Sequence, residues 1–202
     1  MKTLLEKLEN LIAEYKEKLQ ESENTKVQLS ELKPGDVFET SFGDLIVLEH
    51  IGDKTKVITK GFTKENQRFD EDSPNFATSE ISEYLSKEVL EMFEKEFGSE
   101  NVVEHIEDVF SVDMQKYDSY MGKIRLLTFE EARKYNDLIV NKELPRWWWT
   151  MTPWSTKERG WEYSITVVSP SGIINGIECD NYCGVRPVCI LKSNIFVSKK
   201  ND

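Results

Sequence analysis

The chain has 202 residues, a formal net charge of −11, 39% hydrophobic and 31% charged side chains, and 5 Trp, 7 Tyr and 10 Phe. A chain of this size hides roughly 70% of its unfolded surface without a disulfide or metal staple, and its aromatic content excludes a disordered tail. The negative balance speaks against a general affinity for phosphate backbones or anionic lipid, and no apolar run approaches the roughly 20 residues that span a bilayer.

Leu5, Leu8, Ile12, Tyr15 and Leu19 are spaced 3, 4, 3 and 4, a heptad seam that Leu4 and Leu11 widen. The spacing predicts an amphipathic helix over 2–21 in an N-terminal unit of residues 1–24, with SENTK (22–26) as linker to an α+β domain over 25–202. Such a seam predicts a homodimer; it would serve equally to pack the helix on its own domain, since about three heptads are marginal for a free-standing coiled coil. The charged N-terminus is unlike a signal peptide, which predicts a cytoplasmic protein. Cys179, Cys183 and Cys189 cannot all pair with one another, as expected of free thiols in a reducing compartment.

From Leu29 the pattern turns to strands. KPGD (33–36) reads as a turn, and DVFET, DLIVLEHI and KVITK as a small antiparallel meander with Gly52 and Asp53 between its last two strands. Ser79 predicts a helix start and Gly98 its stop after Phe97, with Ile81, Tyr84, Leu85, Val89, Met92, Phe93 and Phe97 on the buried face. Thr128 and Glu131 have capping-box spacing and open a second helix that ends near Asn141. After Pro145 the chain returns to strands: RWWWTMT, YSITVVS, GIINGIE and GVRPVCIL, with a tight turn at Ser169–Gly172.

The block PRWWWTMTPW (145–154), a turn glycine at Gly172 and the ending GVRPV (184–188) resemble the prokaryotic and phage family known as domain of unknown function 6273. LSELKPGDVF, SEISEYLSKEVLEMF and IRLLTFEEARKY extend the likeness over residues 28–191; Thr150 and Met151 depart from it, standing where the family has leucine and arginine. The family carries no assigned chemistry. The G-V-R-P ending is also similar to the close of C-type-lectin-like domains, including formylglycine-generating enzymes, and implies a compact mixed fold of that kind with two main helices and antiparallel strands.

All five tryptophans fall between Trp147 and Trp161. Strand alternation puts Trp147 and Trp149 on one side, as core, and Trp148 on the other, where it and Trp154 are candidates for an aromatic partner surface. A covering helix or loop is the alternative fate of that face. Arg186 needs a partner in a near-central strand: Glu178, Asp180, Glu162 or a tryptophan face would serve, and Pro187 demands an edge or bulge. Glu178, Asp180 and Asn181 are too weak a cluster to predict calcium, and His50 and His105 lack the spacing of a zinc pair. No cofactor or metal is expected.

Residues 65–113 hold 15 acidic and 3 basic side chains, so one block carries the whole net charge. Its helix sets Glu80, Glu83, Glu88, Glu91, Glu94 and Glu96 off the apolar face, a negative field suited to a basic groove. These features predict a non-catalytic protein-binding protein with those glutamates, Trp148 and Trp154 as partner-binding residues and Arg186, Trp147 and Trp149 as structural ones. With the family resemblance, its most concrete form is a phage or prophage inhibitor, anti-CRISPR-like, seated on the basic nucleic-acid surface of a host defence nuclease. The partner is then a protein, with no direct contact to nucleic acid or membrane. Two alternatives stay open: a C-type-lectin-like glycan-recognition domain, and a formylglycine-generating-type oxidoreductase using the C-terminal cysteines.

Overall fold

A computed structural model describes residues 7–12, 14 and 26–200. Residues 7–12 and 14 are helical, with Leu8, Leu11 and Ile12 exposed. Leu4, Leu5, Tyr15, Leu19 and residues 22–25 of the expected linker lie outside the described residues, and Lys26 already opens a strand.

In chain order the elements are β1 (Lys26–Gln28), β2 (Val37–Glu39), β3 (Leu45–Ile51), β4 (Lys54–Thr59) and β5 (Lys64–Arg68). A helical run follows as α1 (Glu80–Tyr84), a π turn (Leu85–Val89) and α2 (Leu90–Phe97). Then come β6 (His105–Glu107), β7 (Tyr120–Gly122), β8 (Ile124–Arg125), α3 (Phe129–Lys134) and α4 (Asn136–Ile139). The chain closes with β9 (Trp148–Pro153), β10 (Ser164–Val168), β11 (Ile174–Glu178), β12 (Tyr182–Val185), β13 (Val188–Lys192) and β14 (Phe196–Lys199). The architecture is mixed α+β, its strands mostly antiparallel.

Seven strands form one sheet in the order β1-β14-β2-β3-β4-β13-β8, and five form a second in the order β11-β10-β9-β12-β5. The β3–β4 hairpin turns at Gly52, whose φ of 62° at the first central position is one that side chains resist. The Ser169–Gly172 turn closes through the Gly172 amide donating to the Ser169 carbonyl at 3.0 Å.

The central strands of both sheets are covered on both faces, and strand alternation decides which residue goes where. Val47, Val57, Trp149 and Val167 enter the larger core, with Ile81, Leu85, Val89 and Phe93 of the helical run. Their neighbours Ile46, Ile58, Trp148 and Val168 enter a second core beneath α3 and α4, with Ala132 and Ile139.

The expected single strand GVRPVCIL is two strands. β12 ends at Val185 in the five-stranded sheet and β13 begins at Val188 in the seven-stranded one, so Arg186 and Pro187 are the crossing between sheets. Proline has no amide to give a ladder, and here its carbonyl instead accepts from the Thr59 amide at 3.1 Å.

Candidate docking surface

The helical run starts where the Ser79 hydroxyl accepts from the Ser82 amide at 3.2 Å and stops at Gly98, φ 84°. Its buried residues Ile81, Leu85, Val89 and Phe93 recur every fourth position. In an α-helix of 3.6 residues per turn such a stripe drifts by about 40° at each step; the wider π turn over Leu85–Val89 takes up that drift and holds the stripe on the core.

Glu83, Glu88 and Glu91 are thereby turned to solvent beside Lys87 and Lys95. The six helix glutamates sit on one run, yet several are occupied within the fold. Glu80 pairs with Arg68 at 2.6 Å, Glu83 with Lys87, and Glu94 with Lys123 at 2.6 Å, while Glu96 accepts from the Ser41 amide at 3.2 Å. Glu88 and Glu91 make no ion pair among the described residues.

β6 and β7 form a separate two-stranded ribbon beside this run. Ile106 and Met121 face each other across it and are 70% and 66% exposed. Between ribbon and helix runs a groove of about 530 Å³ walled by Leu90, Glu94, Glu104, Tyr120 and Met121; Lys123 in its wall is already held by Glu94 and the Ser99 carbonyl.

A buried charge network anchors the ribbon's inner face. Arg125 is 2% exposed and grips Glu131 through both terminal nitrogens at 2.5 and 2.7 Å; Glu107 approaches it at 3.3 Å. Arg125 Nε donates to His105 Nε2 at 2.9 Å, and Lys56 bridges Glu131 at 2.6 Å and Glu49 at 3.0 Å. Burial would lift the Glu131 carboxyl, but Arg125 and Lys56 outweigh it and hold it at about 2. Burial, with Arg125 beside it, lowers His105 to about 4, so the imidazole is neutral and able to accept; burial raises Glu107. No signal in the sequence beyond the capping box marked this network.

Trp148, assigned above to a partner surface, is instead fully buried. Helices α3 and α4 cover that side of β9, and the indole sits in the second core with the Arg186 guanidinium over its ring at 4.9 Å. Arg186 takes none of the three expected carboxylates. Its Nε donates to the Thr59 carbonyl at 3.0 Å and Nη1 to the Ile139 carbonyl at 2.7 Å, and burial lowers its pKa to about 9. Trp149 is buried, its Nε1 donating to the Gln67 carbonyl at 2.8 Å; Trp147 is half-buried against the larger core. Trp154 is half-buried and lies over Gly176, where an added methyl would come within 2.7 Å of the ring.

The three cysteines are buried, and burial pushes Cys179 up to about 11, Cys183 to about 12 and Cys189 higher still. Thiols so held are not nucleophiles near neutral pH. Glu178, Asp180 and Asn181 are exposed, and the described residues contain no acidic, His or Cys group of metal-binding geometry. No helix among them is long and apolar enough to cross a membrane.

No curated protein and no solved structure matches the chain. Residues 107–193, from the end of the ribbon's first strand to just past β13, match the model of the family described as Domain of unknown function (DUF6273), a segment that leaves the acidic helical run outside.

Proposed function

We propose that the protein is a non-catalytic binding protein whose acidic helix and neighbouring apolar ribbon receive a basic segment of a macromolecular partner. The observation that carries this is the adjacency of exposed Glu88 and Glu91, the groove with Glu94 and Glu104 in its walls, and the solvent-facing Ile106–Met121 pair. Acidic rims steer a basic partner, while desolvation of an apolar centre supplies affinity. Trp148 has no part in this surface.

In its most concrete form the partner is a nucleic-acid-binding defence nuclease, the protein is of phage or prophage origin, and it acts in the cytoplasm. We read the two-sheet scaffold as C-type-lectin-like on the strength of the G-V-R-P ending. Exposed Leu8, Leu11 and Ile12 support self-association through the N-terminal helix, which light scattering at micromolar concentration tests.

The decisive experiment is capture from nuclease-treated bacterial lysate with wild type and the E88K/E91K pair, followed by binding to the identified protein. A basic nucleic-acid-binding protein is expected, lost in the double variant and at 1 M salt, where the Debye length shrinks to roughly 3 Å. Capture unchanged by charge reversal, or persisting at that salt, removes the reading.

A further inference from the structure

Beyond the docking face lies a cavity of about 220 Å³ between the 107–114 segment, the start of α3 and β9. Val112, Phe129 and Met151 supply apolar wall, and Glu107, Asp108 and Glu130 are its charged residues, with no cationic side chain among those lining it. It is smaller than the roughly 300–1,000 Å³ of sites for drug-sized ligands, so its occupant is small.

The three carboxylates differ in their commitments. Asp108 and Glu130 are exposed, Asp108 bonded to Ser119 and paired with Lys116 at 4.0 Å, and Glu130 beside Arg133. Glu107 is half-buried and paired with Arg125 at 3.3 Å, a guanidinium that Glu131 also grips at 2.5 and 2.7 Å, and the Lys56 charge acts on it from further off. A half-buried carboxylate whose counter-ion is shared with a second carboxylate is further stabilised by a cation that reaches it.

The rim is built at a cost. Met114 is the one non-glycine among the described residues with positive φ, 64°, a conformation that disfavours a side chain. The Ser111 amide donating to the Gln115 carbonyl and the Met114 amide to the Ser111 carbonyl, both at 2.9 Å, hold it there. Its flexible thioether side chain stands 70% exposed at the mouth.

We propose that this cavity binds a small primary alkylammonium ligand, its carbon chain against Val112, Phe129 and Met151 and its ammonium on the Glu107 carboxylate. Apolar walls with acidic groups and no basic one select against an alkyl carboxylate of equal length, and the hydrogen bond to charge distinguishes the amine from a neutral alcohol.

The probe is hexylammonium chloride, titrated calorimetrically into the full chain beside sodium hexanoate and 1-hexanol. Saturable binding of hexylammonium is expected, with both comparison compounds weaker by about tenfold or more. Glu107→Gln should weaken hexylammonium by about the same factor, and Val112→Trp, which fills the cavity without touching its charge, should abolish binding. Should Glu107→Gln fail to fold, as judged by circular dichroism, Val112→Trp and the two comparison compounds decide. Equal affinity for hexanoate or hexanol, binding retained in Val112→Trp, an unaffected folded Glu107→Gln, or no saturable signal from wild type up to roughly ten times a millimolar dissociation constant would each overturn the proposal.

Discussion

The guanidinium of Arg186 lies 4.9 Å from the centroid of the Trp148 ring, and both side chains are wholly excluded from solvent. The contact joins β9 of one sheet to the residue at which the chain crosses into the other, and the hydrogen bonds from Arg186 to the Thr59 and Ile139 carbonyls extend it to β4 and α4. Among the described residues Trp148 Nε1 has no hydrogen-bond partner, so ring area and π-face are what this residue contributes.

Trp148→Ala should therefore cost about 3–5 kcal/mol of stability, the usual loss for a deleted core aromatic. Trp148→Phe, which keeps a π-face and removes only the unpaired N–H and part of the volume, should lose less than half of that. Urea denaturation checks both. Equal stability of Trp148→Ala and wild type would contradict the burial found here.

Glu131 has two duties, capping α3 by accepting from the Thr128 amide at 3.0 Å and gripping Arg125. Glutamine retains the first, since it also completes a capping box, but not the second. Glu131→Gln should cost about 3–5 kcal/mol, as expected when a buried ion pair loses one member, while Thr128→Ala, which removes a cap alone, should cost about 1 kcal/mol. Comparing the two denaturation midpoints separates the ion pair from the cap.

The same network predicts acid sensitivity. Folded His105 titrates at about 4, below its ordinary 6.5, because burial, then the charges of Arg125 and Lys56, outweigh Val103 and Glu131, which favour the proton. The unfolded chain therefore takes up a proton first, and stability falls as pH drops from 6.5 to 4, by at most about 1.4 kcal/mol per pH unit. Glu131, held at about 2, extends the loss from 4.5 downward; Glu107, raised by burial, acts in the opposite direction. Thermal melts of wild type and His105→Gln across pH 4.5–7 should differ in slope, the variant being flatter. Parallel curves would show that His105 is not the titrating group.

The cysteines should be silent in the native state. With Cys179, Cys183 and Cys189 at 1%, 5% and 0% exposure and their thiols kept protonated, a thiol reagent at pH 8 should modify none of them within minutes, and all three once denaturant is added. Rapid native labelling would reopen thiol chemistry at this end of the chain.

Gly184, the glycine of the GVRP run, stands against the Phe62 ring, which a methyl there would approach to 2.5 Å. Gly184→Ala should cost about 1–3 kcal/mol by overpacking. The shortfall should shrink when Phe62→Leu is added, and a double-mutant cycle of melting midpoints measures that coupling.

Elements defined by neighbours in the chain were legible in advance. The Ser79 cap and Gly98 stop, the Thr128 and Glu131 capping box, the Gly52 hairpin and the alternation of Trp147, Trp148 and Trp149 are patterns of a few adjacent residues, and each has the expected local geometry. The ribbon was not legible: β6 and β7 are three residues each, and their exposed Ile106 and Met121 are separated by a loop. The glutamates were visible as a run, but not that Arg68 and Lys123 would neutralise two of them.

By itself, then, the amino-acid order determined the capped helix starts, the main hairpin and its turn, the two-sided hydrophobic patterning and the confinement of net charge to one block, because those depend on period and local chemistry. Only the tertiary structure decided which charges meet and which aromatic is hidden. Lys56 and Glu131 lie 75 positions apart, and Arg186 reaches a carbonyl 127 positions away. Such pairings follow from how two sheets and their covering helices close around two cores, and no local pattern encodes them.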